Sequence, residues 1–252
     1  MFQIKGKVAL IVGQARGITL ELARQLLQNQ VKAVVIAEPL TEVGKIAIQK
    51  LKDDFGEMRV QLLQVDILNP RELEAVFVTA IKLFDQLDIV INNVGVVDEG
   101  DIDRGQNIAT LTAMRSTKLA VEVYLPQHKL GTEGVVINVN SVVSLGNSSS
   151  LKLGGLSGLL AGNQYEKNNV RVISLYLGSV QSEILGGLVT SQLVQSIRDI
   201  PDLRIQPGTE SIGRALIGAI EQGASGSSWV GIKQQMPESL AQGNWSLAQM
   251  RL

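Results

Sequence analysis

The chain has 252 residues, of which 45% are hydrophobic and 19% charged, and its formal net charge is −1; this is the profile of a globular domain long enough to bury a sizeable core. It has no basic stripe, no polybasic run and no apolar run of membrane-spanning length, which argues against nucleic-acid and membrane partners. Cysteine is absent and His128 is the single histidine, so disulfides, thiolate metal sites and cysteine nucleophiles are excluded, and a zinc site or a serine–histidine hydrolase has no basis.

The first residues, Met1-Phe2-Gln3-Ile4-Lys5-Gly6-Lys7, lead into a strand-like run without the apolar stretch of a signal peptide. Cytoplasm is therefore the expected compartment, with extracellular fluid left open. Short β-branched runs then alternate with longer amphipathic ones. Strands are predicted at 7–12, 33–37, 60–65, 89–92, 135–139, 170–175 and 229–232, and helices at 18–28, 42–53, 71–83, 108–125, 151–164 and 210–222. The strands are apolar throughout, as strands covered on both faces should be. Asn69-Pro70 supplies an N-cap and a proline at the first helical position of the third helix. This alternation predicts one doubly wound α/β domain over 1–252, with seven parallel strands flanked by helices and a C-terminal tail at about 233–252. His128, which follows Pro126, is expected in a loop after the fourth helix.

Gly13-Gln14-Ala15-Arg16-Gly17-Ile18-Thr19 follows the first strand and opens a helix. Glycines so placed permit a tight turn and bring backbone amides toward a pyrophosphate at a helix N-terminus. Glu38 ends the second strand, Asp66-Ile67 follows the third, and Asn92-Asn93-Val94-Gly95 closes the fourth. On these motifs, from about Gly6 to Ile232, the chain resembles the short-chain dehydrogenase/reductase family, and within it the insect alcohol dehydrogenase and 15-hydroxyprostaglandin dehydrogenase branch. The resemblance implies a Rossmann-type fold and a nucleotide cradle formed by Gly13, Arg16, Gly17, Ile18, Glu38, Asp66, Ile67, Asn92 and Gly95. It casts Glu38 as the ribose acceptor and Asp66 as the adenine-side acid.

Each of these residues also has a structural reading. Glu38 before Pro39 suits a solvated turn, Asp66 suits an Asx turn before Asn69-Pro70, and Asn92 and Asn93 suit backbone pairing at a strand end. Two departures bear on the cradle: Thr19 stands where the family has its third glycine, and Val12 replaces a hydroxyl-bearing residue. Thr19 is expected either to displace the helix or to narrow the phosphate pocket. NAD is the one cofactor in question, and the pattern fits vestigial binding and loss alike; no obligatory cofactor or metal is expected.

The family's catalytic serine falls at Ser141, but its tyrosine and lysine positions fall on Gly154 and Gly158. No tyrosine is followed four residues later by lysine: after Tyr124, Tyr165 and Tyr176 stand His128, Asn169 and Val180. The helix-four asparagine falls at Ala109 or Thr110, and Leu177-Gly178 replaces the usual Pro-Gly. Tyr165 lies about three helical turns beyond Gly154, and Lys152 without a phenol offers no proton relay. Serine without a base is not activated, so Ser141 is an isolated remnant and no catalytic residue is expected.

Gly154, Gly158 and Gly162 recur at helical spacing together with Gly155, although each interior glycine costs a helix about 1 kcal/mol. Two explanations stand side by side: the glycines have emptied the old cleft for an apolar ligand, or they record drift after catalysis was lost. The serine-rich run 141–150 reads as a hydroxyl-rich loop, with serines lining a polar mouth to the cleft as the alternative, and Trp229 suits an edge strand. The resemblance implies a homodimer through helices near 108–125 and 151–164, with the tail 242–252 covering the cleft and joining the dimer contact. The expected function is that of an inactive homologue, a pseudoenzyme acting as a binding, carrier, storage or structural protein. The alternative is an active NAD-dependent oxidoreductase of alcohols or ketones with a rearranged site.

Overall fold

A computed structural model describes residues 1–39, 42–94, 102–141, 165–177, 209–231 and 248–250. Eight strands form one sheet in the order β3-β2-β1-β4-β5-β6-β7-β8. They are β1 (Val8–Val12), β2 (Ala33–Glu38), β3 (Val60–Gln64), β4 (Ile89–Asn92), β5 (Gly134–Ser141), β6 (Val170–Leu177), β7 (Ser228–Gly231) and β8 (Ala248–Met250). The first seven pair in parallel, as the apolar runs predict, and β8 pairs antiparallel with β7. The last strand was not anticipated. It sets residues 248–250 of the tail against Ser228, Trp229 and Val230, so the strand carrying Trp229 is not the sheet edge.

The described helices are α1 (Ile18–Gln28), α2 (Glu42–Phe55), α3 (Pro70–Phe84), α4 (Ile102–Leu119), α5 (Leu125–His128) and α6 (Thr209–Gln222). α4 begins earlier than its apolar periodicity suggests, and a wider π turn over Ala120–Tyr124 carries it into α5. Leu125 N–H reaches Ala120 O, five residues back. Pro126 has no N–H to continue the ordinary ladder, and the bulge absorbs that break. His128 thus ends a helical turn instead of lying in a loop. The predicted helix 151–164 lies outside the described residues.

Alternation along the strands divides the core in two. Ala9, Ile11, Ile137, Ile173, Leu175 and Leu177 pack with α1 and α6, through Leu22, Leu26, Ile212 and Leu216. Val8, Leu10, Val12, Val90, Val136 and Val172 pack with α3 and the α4–α5 ridge, through Leu73, Phe77, Val121 and Leu125. The strand order reverses between β1 and β4. In sheets of this kind ligands bind outside the carboxyl ends of the strands at that switch point, here at Gly13 and Asn93.

Candidate functional site

At the end of β1, Gly13 has φ 154° and donates to Ala37 O at 3.0 Å. A β-carbon on it would lie 2.3 Å from Asn93 O, so the close approach of the β1 and β4 ends requires glycine. Gly17 caps α1 at φ 49° and brings no side chain to the helix's first amides. Arg16 beside it is exposed and Ile18 half-buried. The turn therefore presents a helix N-terminus suited to an anion.

Thr19 is buried, and its hydroxyl accepts from Asn93 Nδ2 at 2.9 Å. The branched side chain at the third glycine position is thus tied to the end of β4. Neither of the two expected consequences was this tie, which depends on a partner distant in sequence.

Glu38 corrects one of its two readings. It is 1% exposed, so it is no solvated turn residue, and its Oε2 accepts from Ala15 N–H at 2.6 Å. The carboxylate thereby closes on the glycine turn from inside the chain. The end of β2 thus presents a buried carboxylate, one oxygen of which is held by the glycine turn.

Asp66 is exposed, its Oδ1 accepting from Leu68 N–H at 3.0 Å while its own N–H donates to Glu72 Oε2 at 2.8 Å. That is the Asx turn, continued by Asn69, whose side chain caps α3 at Arg71 N–H. Ile67 is buried beneath it. Gly95 lies outside the described residues.

Asn92, buried at the end of β4, donates through Nδ2 to Asn138 Oδ1 at 2.8 Å and to Thr117 Oγ1 at 3.1 Å. Thr117 Oγ1 lies 2.8 Å from Ala113 O and 3.0 Å from Asn138 Oδ1. The expected pairing to backbone is present as a long contact from Asn92 Nδ2 to Ala113 O at 3.5 Å, within a side-chain network joining β4, β5 and α4. Asn138 and Thr117 were missed because neither belongs to a local motif.

Ser141 is the last residue of β5, in register with Leu177. Gly154, Gly158 and Lys152 lie outside the described residues. The tyrosines are placed apart from one another. Tyr124 stacks on Phe77 at 5.0 Å and donates to Glu74 Oε1 at 3.2 Å; burial first, and then Glu74, raise its pKa. Tyr165 donates to Glu133 Oε1 at 2.7 Å, and Glu133 Oε2 lies 3.1 Å from Arg171 Nε. That hydrogen bond is the main cause of Tyr165's raised pKa. Glu133 immediately precedes β5 and Tyr165 precedes β6, so this cluster sits where the strands begin, at the opposite edge from Gly13. Tyr176 is 1% exposed near the end of β6, its hydroxyl has no partner, and burial raises its pKa. A polar group so placed costs about 1–3 kcal/mol.

Among the described residues no three His, Asp or Glu side chains gather as a metal site, and no helix is long and apolar enough to cross a membrane.

The sheet order, the glycine turn at the switch point and the paired asparagines define a Rossmann-type dinucleotide-fold protein. More narrowly, the chain belongs to the short chain dehydrogenase family, whose model matches residues 7–192. It is 22% identical to Drosophila melanogaster "Fat body protein 2" over 98% of this chain and 100% of that one. It is 29% identical to human "15-hydroxyprostaglandin dehydrogenase [NAD(+)]" over 56% of this chain, a match spanning 53% of that enzyme. A solved hydroxysteroid dehydrogenase from Escherichia coli superposes with a TM-score of 0.74 at 20% identity, covering 90% of this chain and 95% of that one.

Proposed function

We propose that this chain is a member of the short-chain dehydrogenase family that no longer transfers hydride and serves as a binding, carrier, storage or structural protein. The observation that carries the reading is the pair of glycines, Gly154 and Gly158, at the positions where the family resemblance requires a phenol and an ammonium. Proton transfer in step with hydride needs an acid within hydrogen-bond reach of the substrate oxygen, its pKa brought near the working pH. Every tyrosine of the chain has a raised pKa instead, and Tyr165 faces the far edge of the sheet.

The engagement of Glu38 with Ala15 supports weak or absent NAD binding. The chain acts as a homodimer through α4 and the segment 151–164, with a small molecule in the vacated cleft.

The competing reading is an NAD-dependent oxidoreductase, and the retained Gly13 and Gly17 turn favours it. Two measurements separate them. The purified protein should neither oxidise NADH with ketones nor reduce NAD with alcohols above the buffer background. NADH should also leave its melting temperature within about 1 °C. A ligand at 100 times its dissociation constant stabilises by about 2.7 kcal/mol, worth roughly 5–10 °C for a domain of this size. Turnover that disappears in Ser141→Ala would overturn the proposal.

A further inference from the structure

Phe2 is buried, its N–H donates to Glu221 O at 3.1 Å, and its ring meets two cations. Lys7 Nζ lies 5.1 Å from the ring centroid and Arg171 Cζ 5.3 Å, both within the range where a ring face attracts a cation. Each cation also has an acid beside it: Asp88 lies 3.3 Å from Lys7 and Glu133 3.1 Å from Arg171. Arg171 donates further through Nη1 to Gly223 O and through Nη2 to Ile220 O at 2.7 Å. One guanidinium thus holds the last turn of α6 against the start of β6.

From that grip a continuous set of contacts leads to β8. Gly223 is packed so closely that a β-carbon on it would stand 2.7 Å from Ile173 Cδ1 and 3.0 Å from Trp229 Nε1. The Trp229 indole donates to Ser227 Oγ at 2.8 Å, and Ser227 Oγ donates in turn to Ala224 O at 2.6 Å. The turn between α6 and β7 therefore cannot shift without carrying the indole with it. Trp229 is the central residue of the pairing with β8, opposite Gln249. β8 has three residues and is the outermost strand. A strand of that length is at the short limit, and elements with so few contacts open first.

We propose that Phe2 and Arg171 form a latch by which segment 2–7 sets how firmly β8 docks on β7. β8 is the two-state element, docked or released, and the chain of contacts from Phe2 to Trp229 is the physical means of biasing it. With Phe2 in place, Arg171 is shielded from water and its planar fork stays aimed at the two carbonyls at the end of α6. Withdrawing the ring lets water reach the guanidinium, its hold on Ile220 and Gly223 weakens, and β7 loses the fixed indole beside β8. This device goes beyond the proposed function and operates whether or not the chain transfers hydride.

The test measures hydrogen exchange of the β8 amides in the whole protein and in its variants. Phe2→Ala removes the ring, and Phe2→Leu keeps apolar bulk without a π face. Asn69→Ala weakens the fold at α3, on the other face of the sheet, and serves as the control for general destabilisation. The expected result is β8 exchange roughly fivefold faster or more in Phe2→Ala, a smaller increase in Phe2→Leu, and the wild-type rate in Asn69→Ala, because β8 exchanges by local opening. If Phe2→Ala does not fold, Phe2→Leu against wild type carries the same comparison. An unchanged β8 rate in the Phe2 variants overturns the inference. So does an equal acceleration in Asn69→Ala, which would show that β8 opens only with the whole molecule, and so does a wild type whose β8 amides exchange without protection.

Discussion

Glu38 reaches Ala15 because the end of β2 lies next to the end of β1, where the glycine turn begins. A buried charge-assisted hydrogen bond of 2.6 Å is among the stronger contacts a folded chain makes. Glu38→Asp withdraws the carboxylate by one methylene and leaves the Ala15 amide without its acceptor. The expected loss is about 1–3 kcal/mol, read as a lower urea midpoint at unchanged slope; a midpoint equal to wild type would show that the contact is dispensable. From sequence, Glu38 was visible as an acid ending a strand, but the direction of its side chain was not, because that depends on a turn more than twenty residues away. Asp88 gave still less signal. It reads as an ordinary acid before β4, yet it is fully buried and accepts from Val8 N–H at 2.8 Å, Gln86 Nε2 at 2.6 Å, Leu130 N–H at 2.5 Å and Lys7 Nζ at 3.3 Å. Those donors come from three separate parts of the chain, around residues 7–8, 86 and 130, and no local pattern announces such a node.

Elements were far more legible than contacts, since periodicity and caps are local. β4 and α1 fall where their patterns place them, and the Asn69-Pro70 start of α3 is present with the capping bond in place. There Asn69 Oδ1 accepts from Arg71 N–H at 3.0 Å, Asn69 Nδ2 donates to Glu72 Oε1 at 2.9 Å, and Glu72 Oε2 takes the Asp66 amide. Asn69→Ala should therefore cost about 1 kcal/mol, with Asn69→Asp retaining most of it; urea denaturation would measure both. A loss as large in Asn69→Asp would mean that the donated bond to Glu72 outweighs the cap. Prediction failed where tertiary context overrode pattern. α4 begins at Ile102 although its first turns hold Gly105 and several polar residues. The chain also stays helical past Pro126 through a π turn. β8 is a three-residue strand that exists only because β7 offers an edge.

At the scale of the whole molecule, the titration of the tyrosines sets the alkaline limit of stability. Tyr124, Tyr165 and Tyr176 all have pKa values raised above the ordinary value near 10. The unfolded chain therefore releases these protons first, and the folded state holds more protons than the unfolded one above about pH 10. With fewer protons bound on unfolding, stability must fall as pH rises. The tyrosine contributions are complete below about pH 10 and are lost as pH climbs through the raised folded values. Lys129 acts in the opposite sense, because burial lowers its pKa and its unfolded form holds its proton longer. Arg171, whose pKa burial also lowers, acts with Lys129 but from a higher starting value, so the three phenols leave a net decline over this range. Urea midpoints taken between pH 8 and 11 should stay level to about pH 9.5 and then drop, while tyrosinate absorbance of the native protein rises only above pH 10. Tyr165→Phe, which removes the phenol paired with Glu133, should soften the drop. A midpoint that holds steady to pH 11 would mean that Lys129 and the other bases outweigh the phenols, and that the hydrogen bond at the start of β5 and β6 contributes little to folding.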